Sequence, residues 1–188
     1  MNWFCTRFSE YDISILRFVH HNRNVALDGF LYNVSFATTF VSITLLGIIL
    51  LQLIKRKSPE LRINFFKILT VLVLSGVMSL ILKYSIIRDR PFVSYPDIEK
   101  LSEAGNSSFP SGHTIEAFAM AFAISTLFPY LKFVIPVFLW ALLIAYSRMA
   151  LGVHYPFDVL AGMVIGVLIS YCTITVFNKV ERKINKVN

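Results

Sequence analysis

The chain has 188 residues, 56% of them hydrophobic and only 15% charged, with a formal net charge of +7. That composition excludes a disordered chain and argues against a water-soluble domain, in which charged residues make up about a quarter. The positive charge does not call for nucleic acid: basic loops facing anionic lipid headgroups, together with a cationic pocket, account for it, and no nucleic-acid partner is expected.

At the N-terminal end, Tyr11, Ile15, Phe18 and Val19 recur at helical spacing, with Glu10, Asp12, Arg17 and His21 elsewhere on the wheel. This predicts an amphipathic helix over 9–22 lying at a membrane interface, with a spanning or re-entrant helix as the alternative. His20 and His21 read as interfacial side chains. No cleavable signal peptide is expected, because residues 1–24 hold no uninterrupted apolar core.

A spanning helix needs about 20 largely apolar residues. Residues 34–54 meet that need, as do 65–87, where Lys67 and Lys83 lie near the ends and can snorkel. The stretch 88–109 is too polar to span. Further helices are predicted over 113–128, 131–149 and 156–177. Pro110 and Pro156 suit helix starts, where the missing amide costs nothing, and Pro136 falls in the first turns of its helix. The expected fold is an all-α integral membrane bundle of about five to six spans with an N-terminal amphipathic helix, forming a single domain over 1–188.

Gly162 and Gly166 form a small-xxx-small pair suited to close helix packing, within the chain or in a dimer. The 17 Phe and 8 Tyr read as lipid contact and interfacial belt. Cys5 and Cys172 have no metal-ligand spacing, and Cys172 reads as a small structural hydrophobe.

Lys and Arg counts in short loops predict orientation. Lys55, Arg56, Lys57, Arg62 and Lys67 cluster between the first two spans, and Lys179, Arg182, Lys183 and Lys186 follow the last. Both segments are expected in the cytoplasm. The loop 88–109 and the turn at 148–156 then lie outside, at an inner (plasma) membrane. Arg88, Arg90 and Arg148 run against the bias there, as residues retained for a pocket would. Arg7, Arg17 and Arg23 add noise to the count.

Three short polar clusters punctuate this apolar chain. They are Lys83 with Arg90-Pro91, then Pro110-Ser111-Gly112-His113, then Ser147-Arg148 with His154 and Asp158. Ionisable groups at the ends of apolar segments are expensive and point to function. Arg90 and Arg148 can each offer a planar fork to phosphate, and Lys83 a compact charge. Ser111 and Gly112 sit at a predicted helix start, where free amides and the dipole favour an anion. His154 and Asp158 are four apart, so a helix beginning by 155 places them on one face, where Asp158 can accept from the ring. Asp89, between two arginines, reads as a local charge partner. Glu116, three residues after His113, is expected to point into the bundle, to contact His113 or a pocket cation, and to modulate the acid.

The three clusters resemble the three-part signature of the type-2 phosphatidic acid phosphatase superfamily. Lysine, six residues, Arg-Pro reads here as KYSIIRDRP over 83–91, and Pro-Ser-Gly-His stands at 110–113. Ser-Arg, five residues, His, three residues, Asp reads as SRMALGVHYPFD over 147–158. The resemblance is close over 83–170; the first 60 residues resemble small bacterial lipid phosphatases only in layout. It implies phosphate binding by Lys83, Arg90, Ser111, Gly112, His113 and Arg148. It implies His154 as a nucleophile that becomes phosphohistidine, Asp158 as its partner and His113 as the acid for the leaving group. No metal and no cofactor are implied, and no acidic cluster is available to hold a metal.

The implied activity is hydrolysis of a lipid phosphate or pyrophosphate at the extracytoplasmic face. Undecaprenyl pyrophosphate is favoured, with phosphatidylglycerophosphate or lipid A as alternatives. Enzymes acting on undecaprenyl pyrophosphate often carry aspartate where this chain has Gly112. A rival of another class is a non-catalytic lipid-phosphate binder or transporter, which would be expected to have lost His154 or Asp158. Membrane lipids are the expected surroundings, and the oligomeric state is left open.

Overall fold

A computed structural model describes residues 3–187, with side chains from residue 9 onward except at 185 and 187. The side chains of Cys5 and Arg7 lie outside the described residues. Eight α-helices follow in order: α1 (Trp3–His21), α2 (Asp28–Phe36), α3 (Thr38–Arg56), α4 (Pro59–Ser85), α5 (Pro91–Ser94), α6 (Gly112–Leu127), α7 (Leu131–Ala150) and α8 (Pro156–Val187). No strand occurs among the described residues.

Four of these, α3, α4, α7 and α8, are long and apolar enough to cross a membrane. Their outward faces carry exposed apolar side chains such as Phe40, Leu51, Leu139 and Leu168, as surfaces meeting lipid do. The helix expected over 113–128, α6, is shorter than these four, with 16 residues, or about 24 Å at about 1.5 Å per residue, against a hydrocarbon core of about 30 Å. It forms the centre of the bundle. Ile115, Ala117, Phe118, Ala119, Met120, Ala121, Ala123 and Ile124 are all buried, and the helix packs on α3, α4, α7 and α8. A helix apolar on every side is one enclosed by others.

Gly162 and Gly166 act within the chain. A β-carbon on Gly166 would lie 2.4 Å from the Ile115 carbonyl oxygen, and one on Gly162 would lie 2.9 Å from that of Ser111. The backbones of α6 and α8 therefore touch, as small residues permit.

Several boundaries differ from expectation. The polar connection after the first span shrinks to residues 57 and 58. Lys57 closes α3 in a left-handed conformation, and Ser58 caps α4 through the Leu61 amide, with Pro59 at the first helical position. These signals start α4 six residues before its apolar run. Lys67 consequently lies well inside the helix and does not snorkel: it is buried, paired with Glu181 at 2.9 Å and donating to Asn178 at 2.7 Å. The predicted first span is divided at Ala37 into α2 and α3. The last helix continues well past 177, carrying its basic residues on a helical tail. Pro110 precedes α6 rather than opening it, whereas Pro136 lies in the first turns of α7, as expected. Cys172 is exposed on the outer face of α8, not packed inside.

Helix α1 reverses the expected placement of its polar residues. Asp12 and His20 are buried with Ile13 and Leu16, while Tyr11, Ile15 and Phe18 are exposed. Its apolar stripe faces outward and its polar side rests on α7 and α8. His20 is not an interfacial side chain: Nδ1 lies 2.8 Å from the Ala150 carbonyl, and Nε2 accepts from the Glu99 amide at 3.1 Å. Arg17 pairs with Asp97, and Arg23 with Asp28 and Glu99. Their charges are answered locally, which is why they blur a count of loop cations.

Candidate active site

The three polar clusters meet at one end of the bundle. Lys83 lies in the last turn of α4. The chain then runs through 86–90, held against 107–108 by Ser107 Oγ donating to the Ile86 carbonyl at 2.8 Å and the Ser108 amide donating to that of Arg88 at 2.8 Å. Arg90 stands at the extended cap position of α5 and is buried. It donates to the carbonyls of Gly105 at 3.1 Å and Val153 at 2.7 Å, and its Nη1 lies 3.0 Å from His154 Nε2.

Helix α6 opens directly against this loop. The Ser111 amide donates to the Asp158 carbonyl at 3.1 Å, tying the second cluster to the third. The Ser111 hydroxyl lies 2.8 Å from Thr114 Oγ1, and the first amides of α6 have no partner within the helix, as at any helix start. Gly112 lets α6 approach α4: a β-carbon there would come within 2.7 Å of Ser79 Oγ and 4.0 Å of Lys83 Cε. His113 is half-buried, and the cations acting on it are Arg148, Lys83 and Arg90.

Arg148 ends α7 and is 2% exposed. Its Nη1 donates to Ser35 and, at 3.2 Å, to Ser102, and Nη2 to the Glu103 carbonyl at 3.3 Å. Its Nε is buried without a hydrogen-bond partner among the described residues. An unpaired buried guanidinium N–H is costly, and a phosphate oxygen would satisfy it. The Arg148 carbonyl accepts from the amides of both Val153 and His154 at 3.2 Å. That tight return depends on Gly152, at φ +71°, where a β-carbon would meet the Glu99 carbonyl at 2.2 Å.

His154 is 1% exposed and Asp158 is fully buried. They share a face, but the ring does not donate a close hydrogen bond: Nδ1 lies 3.7 Å from Asp158 Oδ2, an ion-pair distance. Asp158 is already engaged, Oδ1 by Arg88 at 2.6 Å and Oδ2 by the Ser108 hydroxyl at 2.5 Å and the Tyr155 amide at 3.0 Å. Because Arg90 can only donate, Nε2 of His154 accepts and the ring proton belongs on Nδ1, facing Asp158. Burial pushes the His154 pKa down to about 3 against the opposing pull of Asp158. The ring is therefore neutral at ordinary pH, the form a nucleophile needs.

Two expectations fail here. Glu116 does not reach His113 or a pocket cation; its Oε2 accepts from Thr39 at 2.9 Å. Neighbouring positions on a helix face do not force contact when α3 supplies a hydroxyl on the other side. Asp89 is exposed, and the arginines flanking it bond elsewhere. Two groups at the site had no role assigned from sequence. Arg88 bridges Asp158 and Asp12, and Asp12 arrives from α1. The arginine was visible as a cation against the orientation bias. Asp12 left no signal beyond a lone acid on an aromatic helix. Among the described residues no group of three or more His, Cys, Asp and Glu is arranged to hold a metal ion.

A family model described as the PAP2 superfamily matches residues 64–182, which include all three clusters. The chain belongs to the PAP2 superfamily. Undecaprenyl-diphosphatase BcrC of Bacillus subtilis (strain 168) is 34% identical over 102 residues, 52% of this chain and 52% of that protein. Lipid A 1-phosphatase of Rhizobium johnstonii is 34% identical over 140 residues, 70% of this chain and 56% of that protein. The chain thus spans about half the length of these curated relatives. The crystal structure of a transmembrane PAP2 type phosphatidylglycerolphosphate phosphatase from Bacillus subtilis superimposes with a TM-score of 0.74 at 25% identity, covering 92% of this chain and 87% of that one. With its apolar helices, this PAP2 chain is a multi-pass membrane protein.

Proposed function

We propose that this protein is a membrane lipid phosphatase that hydrolyses a lipid phosphate or pyrophosphate through a phosphohistidine at His154. The observation carrying this reading is a neutral, buried His154 whose Nε2 meets Arg90 at 3.0 Å, beside an Arg148 with an unpartnered Nε. Lys83, Arg90, Arg148 and the first amides of α6 would neutralise the phosphoryl oxygens, which is the main catalytic demand of phosphoryl transfer. Nε2 attacks phosphorus, the bond to the leaving oxygen breaks, and His113 gives that oxygen its proton. Burial and the cations Arg148, Lys83 and Arg90 hold the His113 pKa down to about 3 in the free protein; with Glu116 turned away, the negative phosphate of the substrate is the anion that would bring His113 its proton and keep it there for the leaving oxygen. Water then attacks the phosphohistidine, His113 takes its proton, and phosphate leaves with His154 restored.

Undecaprenyl pyrophosphate is the favoured substrate, supported by the likeness to BcrC. The likenesses to lipid A 1-phosphatase and the phosphatidylglycerolphosphate phosphatase make those lipids the alternatives. Purified protein offered the three lipids in EDTA is expected to release phosphate, with vanadate inhibiting. Turnover that vanishes in EDTA and returns with magnesium rejects catalysis by side-chain cations, and no release from any lipid rejects the enzyme reading.

The loop cations support a chemistry facing away from the cytoplasm. In a chain with Cys5 and Cys172 replaced, a cysteine at exposed Glu103 is expected to react with an impermeant thiol reagent in intact cells. One at exposed Glu60 is expected to react only after permeabilisation. The reverse pattern inverts the orientation.

A further inference from the structure

A chain of buried charge runs from α1 to the carboxylate beside His154. Asp12 is fully buried. Its Oδ2 accepts from Arg88 Nη2 at 2.5 Å, and its Oδ1 accepts from the Phe157 amide, in the first turn of α8, at 2.9 Å. The other arm of the same guanidinium, Nη1, holds Asp158 Oδ1 at 2.6 Å. The guanidinium lies over the Tyr155 ring, 3.9 Å from its centroid, which fixes the plane of the fork. Helix α1 is seated on the same rim by Arg17–Asp97, Arg23–Glu99 and the two contacts of His20.

Burying a carboxylate is expensive unless it is paired, and removing one partner of a buried pair leaves the other uncompensated. A cap for α8 alone needs only a neutral oxygen acceptor. The charge of Asp12 has a different consequence. Given a single carboxylate, a guanidinium fork takes both oxygens and neutralises it. Here the second arm is drawn off by Asp12, so two carboxylates share one positive charge. Asp158 is held at a fixed angle by one arm while keeping negative charge to face His154 Nδ1, 3.7 Å away.

We propose that Asp12 is a positioning residue for the reaction at His154: acting through Arg88, it sets the orientation of Asp158 and the charge Asp158 presents to the imidazole. This rests on His154 being the nucleophile, as proposed above. It also gives α1, outside the region the family model matches, a part in the chemistry of that region.

The experiment compares wild type with Asp12→Asn, Arg88→Gln and the double variant, assaying phosphate release in detergent on whichever lipid the wild type turns over. Asparagine keeps the shape and, through Oδ1, the acceptor for the Phe157 amide, while it removes the charge and the oxygen that accepts from Arg88 Nη2. The expected result is a kcat lower by about 10- to 100-fold, a smaller loss than that of an acid–base group itself, and a KM within about threefold, because Lys83, Arg90 and Arg148 would still bind phosphate. In the Arg88→Gln background, Asp12→Asn should have no further effect on kcat, since the link is already cut. Wild-type kcat in Asp12→Asn overturns the proposal, as do effects that multiply in the double variant or a loss confined to KM. Should Asp12→Asn fail to purify folded, Arg88→Lys carries the test: it keeps the charge but loses the two-armed fork. It is expected to lose kcat to the same extent at unchanged KM, and wild-type kcat there is equally fatal. A wild type that releases no phosphate from any lipid defeats the underlying reading; an active wild type with unaffected variants defeats only the role of Asp12.

Discussion

His154→Ala is expected to lower turnover by at least about 10³-fold while leaving the protein folded and able to bind vanadate. The imidazole contributes little that the fold needs. Its Nδ1 has no hydrogen bond, and when Nε2 is removed Arg90 still donates to the carbonyls of Gly105 and Val153. The three cations that would hold phosphate remain. What is lost is the atom that attacks phosphorus. In an alkali-quenched reaction with labelled substrate, the wild type should carry label on the protein and the variant none. Turnover by the variant within about tenfold of wild type, or label retained on it, removes His154 from the role given to it. Asp158→Asn is a poor substitute for this test, because Asp158 also receives Arg88, Ser108 and the Tyr155 amide.

The largest expected effect on stability lies at the contact between α6 and α8. Gly166→Val should prevent folding or lower stability by more than about 3 kcal/mol, read as loss of a monodisperse peak and a lower melting temperature in detergent. Even the first added carbon would stand 2.4 Å from the Ile115 carbonyl oxygen and 2.9 Å from the Ala119 amide nitrogen. Neither can move without unwinding α6, and α6 carries His113. Gly76→Ala is the control: nothing lies within 4 Å of the added carbon, and alanine favours a helix by about 1 kcal/mol. Equal tolerance of both substitutions would mean that α6 and α8 are not in backbone contact.

The apolar runs, the helix start at Pro156, and the residues of the three clusters could all be read along the chain, because each depends on local composition or spacing. The Gly162–Gly166 pair could be read as packing, though not against which helix. What escaped reading depends on the third dimension. A helix wheel shows that α1 has two faces, but not which one is turned inward. With its polar side docked on a charged rim, Asp12 and His20 became interior residues. Spacing placed Glu116 beside His113, yet Thr39, far away in sequence, supplies its hydrogen bond. The His154–Asp158 spacing was informative about direction and silent about competition. Asp158 is engaged by three other donors, and that is visible only once the loop at 107–108 is folded against it.

The contact between Arg90 and His154 bears on what happens before substrate arrives. The lone pair that would attack phosphorus is occupied by a guanidinium proton, so the resting histidine is masked. A phosphate reaching the same guanidinium competes for that proton with two negative oxygens against one neutral nitrogen, and wins it. In the proposed mechanism, an arginine gripping the substrate would thereby release the nucleophile in the same movement. Reactivity would then be switched on by the ligand itself, and stray electrophiles that bear no anion would meet a ring with nothing to offer them.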